Sequence, residues 1–184
     1  MKRRVVSFIV FSLFLTLQTE TARSSMVLRM SFQEIVSGAE LIVDGEVLKK
    51  ETRLSSMGPR PFTYFKIAII DIVKGEYPDE TIEIGYMGGQ VGDLVLKVSD
   101  LRMPAVGERG IYFIESLGQR QIHPLIGWQQ GHYRVIVDPQ TGQERAVSEY
   151  ERDSGTGIRA PLLQQGTDLS DFKKEIRGLV KGDH

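Results

Sequence analysis

Between Ser31 and Glu76 the chain sets out a capped helical turn and then two apolar strands, the second running into Lys74-Gly75-Glu76, and no other stretch constrains the fold as strongly. Ser31 stands three residues before Glu34, the spacing of a capping box, and Phe32, Ile35 and Val36 share one side of a short helix that Gly38 can end. Such a helix is expected to plug one end of a sheet. Leu41, Val43, Gly45 and Val47 then alternate with Ile42, Asp44, Glu46 and Leu48, the period of a half-buried strand with Asp44 and Glu46 on its solvent side. Lys49 to Pro61 is rich in charge, serine, glycine and proline and reads as a mobile loop. Phe62 to Val73 is a strand longer than usual, which predicts bending around a barrel or a corner.

The remaining elements follow from the same signals. Lys74 to Asp79 is turn chemistry, and Thr81 to Tyr86 alternates as a third strand with Ile82, Ile84 and Tyr86 facing one way. Leu94 to Val98 and Gly110 to Glu115 read as strands, and Gln121 to Ile126 with Tyr133 to Val137 as a further pair around Gly127, Trp128 and Gly131. Asp138 to Gly142 is a turn across which Glu144 to Val147 can pair back. Residues 149–166 form a polar connector. Leu169, Phe172, Ile176, Leu179 and Val180 recur at helical spacing behind Asp168 or Ser170 as cap, so residues 167–184 are expected to form an amphipathic helix lying on the sheet.

The N-terminus bears on location. Lys2-Arg3-Arg4 and the apolar run Val5 to Leu17 have the form of a secretory signal peptide, and Ala22-Arg23-Ser24 places small side chains at a cleavage site after Ser24. An apolar run this short falls below the roughly 20 residues of a membrane span, so no stable membrane anchor is expected after cleavage; the alternative is an uncleaved tether. Residues 1–24 are thus assigned to the signal and 25–148 to the main domain, in a protein exported to the periplasm or the extracellular space. Loss of Lys2, Arg3, Arg4, Arg23 and Glu20 takes the 23 basic and 24 acidic residues to 19 and 23, near −4. A mildly acidic domain argues against nucleic acid as partner. The absence of cysteine excludes disulfides, thiolate metal sites and thiol chemistry, and export without disulfides fits a bacterial source.

Ala39 to Val47, Phe65-Lys66-Ile67 and Asp71 to Glu76 resemble the opening of a domain found in uncharacterised secreted bacterial proteins, some of them associated with matrixin-type metallopeptidases. The opening is also similar in outline to the netrin-like modules, including tissue inhibitors of metalloproteinases. Pro104 to Arg109, Ile111 to Ile114 and Gly127 to Val135 extend the likeness over most of the mature chain. The resemblance implies a mainly β fold, an OB-like closed or partly open antiparallel barrel with a short N-terminal helix and a C-terminal amphipathic helix. Inhibitors of that class insert an N-terminal cysteine into the enzyme's zinc site, and this chain has none, so their inhibitory residues carry over to no position here.

Candidate chemistry is sparse. Asp44 and Glu46 point the same way along a strand, as acid–base work requires, but a solvated face paired with Lys66 explains them as well. His123 and His132 stand on either side of a glycine-flanked turn, with Glu144 or Asp138 as distant third ligands, and the favoured reading is that they bind no metal. Gly88-Gly89-Gln90-Val91-Gly92 lacks the Lys-Ser/Thr end of a phosphate-binding loop. Trp128, His132 and Tyr133 form the one aromatic cluster suited to a binding surface, against which stands Trp128 as a core filler. These observations lead to a secreted, non-enzymatic binding module without a cofactor or metal, acting on a protein partner; the alternative is a glycan- or small-ligand-binding barrel using loops around Gly58 and Trp128.

Overall fold

The computed structural model describes residues 28–56, 58–99, 101–119, 121–148, 150 and 166–182. The signal segment and most of the 149–166 connector lie outside the described residues. Helix α1 (Phe32–Gly38) leads into β1 (Leu41–Leu54), β2 (Pro61–Lys74) and β3 (Thr81–Met87). A small hairpin follows, β4 (Gly89–Val91) and β5 (Leu94–Leu96), then β6 (Arg109–Ile114), a 3-10 turn (Trp128–Gly131), β7 (His132–Val137), β8 (Glu144–Ser148), β9 (Thr167–Asp168) and helix α2 (Leu169–Gly182). Seven strands form one antiparallel sheet in the order β3-β2-β1-β6-β7-β8-β9. The edges are β3 and β9.

The central part of this sheet is buried on both faces, which the alternation of β1 explains. Ile42 joins Ile111, Phe113 and Val73 on one face, covered by Ile35 and Val36 of α1 and by Leu169, Phe172 and Ile176 of α2. Leu41, Val43 and Val47 join Phe65, Ile67, Ile82, Ile84, Tyr86 and Tyr112 on the other. Register shifts in β1 between Ile42 and Val43, Asp44 and Gly45, and Val47 and Lys49 mark bulges, which bend and twist the long β1–β2 pair. Gly45 is the point of closest approach, since a Cβ there would stand 2.5 Å from an Ile67 methyl and 2.7 Å from the Ala68 carbonyl oxygen. Two hydrophobic clusters on one sheet account for a cysteine-free chain holding a fold of this size.

The helical ends follow their sequence signals. The Ser31 hydroxyl accepts from the Glu34 amide while the Glu34 carboxylate accepts from the Ser31 amide, completing the capping box. Asp168 caps α2, its Oδ1 accepting from the amides of Ser170 and Asp171. Lys74 Nζ donates to the carbonyls of Val36 and Ser37 at 2.7 and 2.9 Å, so the residue before the Gly75 turn satisfies the C-terminal end of α1.

Three expectations need correction. The segment after Lys49 is strand as far as Leu54, and only Ser55 to Arg60 form the loop, because cross-strand contacts hold the charged residues in an extended arm. The Arg53 guanidinium lies 3.7 Å over the Tyr64 ring and pairs with Glu83, while Thr52 and Thr63 hydroxyls meet at 3.1 Å. Gln121 to Ile126 is not a strand; it meets the sheet at the isolated Ile114–Leu125 bridge and through single hydrogen bonds from Met87 to Ile122 and from Ile126 to Phe113, and Pro124 has no N–H to give a ladder. Asp44 is not on a solvated face. It is fully buried under α2, and Glu46 alone is exposed.

Candidate functional site

The three aromatic-cluster residues do not share one surface. His132 and Tyr133 are neighbours on β7, so alternation sends them to opposite faces of the sheet. His132 is only 5 % exposed and stacks on its ladder partner Tyr112, with ring centroids 4.8 Å apart and planes 18° from parallel. Tyr133 turns to the helix side and packs on Phe172 at 4.7 Å, Phe113 at 5.6 Å and Phe32 at 6.1 Å. Trp128 is half-buried and stacks on His123 at 5.5 Å, within the turn that Gly127 opens at a φ of 58°. The residues therefore act as packing in three different places.

Neither histidine is placed as a metal ligand among partners. His123 lies between Trp128 and Tyr86, and its Nδ1 accepts from the Leu125 amide at 3.2 Å. His132 Nε2 is 3.7 Å from Glu108 Oε1. Burial depresses both, His123 to about 4 and His132 to about 3, the latter helped by the nearby positive charge of Arg102. Both rings are neutral at pH 7. The Glu144 carboxylate binds Arg109, and Asp138 accepts from the amides of its own turn. Among the described residues no three His, Asp or Glu side chains converge as a metal-binding group.

Asp44 is the centre of the strongest charge cluster. Arg109, from the facing strand β6, donates to both its oxygens at 2.8 Å, and Lys173 of α2 reaches Oδ2 at 2.5 Å. Lys173 also meets Asp71 at 3.0 Å, and Arg177 meets the same carboxylate at 2.8 Å. Burial opposes the charge on Asp44, but the hydrogen bonds of Arg109 and Lys173 outweigh it and hold the carboxyl below its usual range. Every acid in the cluster is matched by a base, so its chemistry is that of a clamp between α2 and the sheet.

A groove in the molecular surface lies elsewhere, at the free side of β3. The groove, of about 210 Å³, is lined by Phe62 and Tyr64, by Ile82 and Ile84 from the other face of the sheet, and by Ser116, Leu117, Gln121 and Pro124. Residues of both parities of β3 line it, since Ile82 and Ile84 face the core while Glu83 and Gly85 face outward; the groove therefore follows the edge of the strand. Gly85 is fitted to its place by Tyr64, whose ring would stand 2.9 Å from an added Cβ. Sequence reasoning missed this site. Its one signal was Gly85, a glycine inside an otherwise regular strand, which marks a close approach.

Comparison of the chain with protein-family models, with characterised proteins and with solved structures finds no match.

Proposed function

We propose that the chain is an exported, non-enzymatic module that binds a protein partner in the bacterial envelope or outside the cell, through the groove beside β3. The observation that supports this is the groove itself, which brings aromatic side chains, Phe62 and Tyr64, together with polar ones, Ser116, Gln119 and Gln121, beside the β3 edge. The buried ionisable groups support the same reading, because the acids and bases around Asp44 are spent on each other and both buried histidines are held neutral. We take the scaffold as a partly open barrel of the OB-like class, for which the bulged, fourteen-residue strands β1 and β2 and the helix at the sheet's end are the supporting features. A co-secreted metallopeptidase is the partner the resemblance suggests, and the cysteine-led insertion into its zinc site is not open to a chain without cysteine.

The test is capture from exported native protein on the immobilised domain, with Leu117→Arg as the control. Leu117 is a partly exposed wall residue of the groove, and an arginine there narrows it without touching either core. Recovery of a defined protein by the parent and its loss with Leu117→Arg is the expected result. Equal recovery by both, or by neither, contradicts the proposal.

A further inference from the structure

The geometry points to β-strand addition as the mode of binding: an extended peptide segment of the partner pairs with the free edge of β3 and lies along the groove. This rests on the binding-module reading above and specifies its mechanism.

The argument starts from hydrogen-bond parity. Gly88 N–H donates to the Pro61 carbonyl and Ile69 N–H to the Glu80 carbonyl, the two ends of the β2–β3 ladder. With the register Thr63 to Tyr86, Phe65 to Ile84 and Ile67 to Ile82, the even residues of β3 carry the bonds to β2. Thr81, Glu83, Gly85 and Met87 therefore turn their N–H and C=O groups outward. Met87 N–H already donates to the Ile122 carbonyl at 3.0 Å. Among the described residues the outward backbone groups of Glu83 and Gly85 have no partner.

An open row of this kind is a template for another strand, and proteins usually blunt it with brevity, proline, lysine or a cover. The opposite edge, β9, is two residues long and so is blunted. By contrast β3 runs seven residues, Thr-Ile-Glu-Ile-Gly-Tyr-Met, with no proline or lysine, beside a groove.

The occupant is a single extended segment rather than a second copy of this chain. Residues 116–119 and 121–124 stand across the groove, and Ile122 already pairs at its end, so the space admits one strand and not the edge of a second sheet with its own wall. The pairing that Ile122 begins at Met87 is the one the segment continues. The outward face of the added strand lies beside Glu83, whose carboxylate Arg53 already holds, and beside Gly85, while apolar residues on its other face meet Ile82, Ile84 and Pro124.

Random peptides displayed on phage and selected on the intact protein supply the probe, and the best is synthesised with a fluorescent label. Glu83→Pro removes one outward N–H without costing a β2–β3 bond, a substitution edge strands accept, while Glu83→Ala removes the carboxylate and keeps the N–H. The expected result is at least about tenfold weaker binding with Glu83→Pro than with Glu83→Ala, which shares its loss of the carboxylate, with the Glu83 and Gly85 amides of the parent protected from exchange by the peptide. Should Glu83→Pro fail to fold, N-methylation of the peptide's alternate amides makes the same test on the parent protein and is expected to abolish binding. Absence of any selected peptide, binding unaffected by Glu83→Pro or by N-methylation, or unchanged exchange of both amides overturns strand addition. A native partner lost with Leu117→Arg yet retained by Glu83→Pro leaves the groove as the binding site and removes only the strand-addition mode.

Discussion

Asp44 shows how one buried charge decides more than its own contacts. Its carboxylate has no access to solvent and satisfies Arg109 and Lys173 at once, so removing it leaves two positive groups facing each other beneath α2. Asp44→Ala is expected to cost about 3–5 kcal/mol in urea unfolding, and Lys173→Met less, because Arg109 still pairs with both Asp44 oxygens. The histidines act in the opposite sense. Their folded pKa values, about 4 and about 3, lie below the ordinary 6.5, so between pH 6.5 and 4 the unfolded chain binds protons that the folded chain refuses. Stability therefore falls as the pH drops through that window, by about 1.4 kcal/mol per pH unit for each histidine, and His132→Phe should roughly halve the slope of the denaturation midpoint against pH. The Asp44 contribution is complete above its unfolded pKa and is lost only in stronger acid, as the pH falls through its lowered folded value. From the sequence Asp44 looked like a solvated partner of Glu46; what hid its burial is that Lys173, which covers it, comes from a helix far along the chain.

At the scale of elements, the parts that depend on neighbours in sequence were the legible ones. Ser31 with Glu34, Asp168 with Ser170 and Asp171, and the Asp138 turn all form as their spacing predicts, because each is a local hydrogen-bond pattern. The β1–β2 arm beyond Lys49 and the non-strand at Gln121 to Ile126 were not, since the first depends on Tyr64 and Glu83 receiving Arg53 and the second on Pro124 lying against β6. Lys74-Gly75 falls between the two. Its turn is visible in sequence, but its tie to α1 is not: Gly75 has a φ of 82°, and a Cβ there would stand 2.6 Å from the Glu40 carbonyl oxygen. Gly75→Ala is expected to destabilise by more than the roughly 1 kcal/mol of an unfavourable φ alone, because the same turn positions Lys74 on the α1 carbonyls. Thermal unfolding of Gly75→Ala beside Lys74→Ala checks this, and a Gly75→Ala protein as stable as its parent would contradict it.

On the scale of the whole molecule, one hydrophobic cluster and an ion-pair clamp close the helix face of the sheet and a second cluster packs its other face, while the β3 side stays open along a groove. The mainly β architecture with a helix at each end was legible in the strand periods; the position of the groove was not, because it is made by segments 62–64, 82–85, 116–119 and 121–124 that meet only in the folded chain. Strand order explains why it lies there. Placing β6 beside β1 leaves β3 at the sheet edge, and the crossover that follows β6 runs past it without covering it. The account's central claim is that this edge is open. Residue-resolved amide exchange of the free protein tests it directly: alternation along β3 is predicted, with Ile82, Ile84 and Tyr86 protected by β2 and Glu83 and Gly85 exchanging fast. Protection of all five amides alike would mean that the edge is already covered, and would contradict the claim.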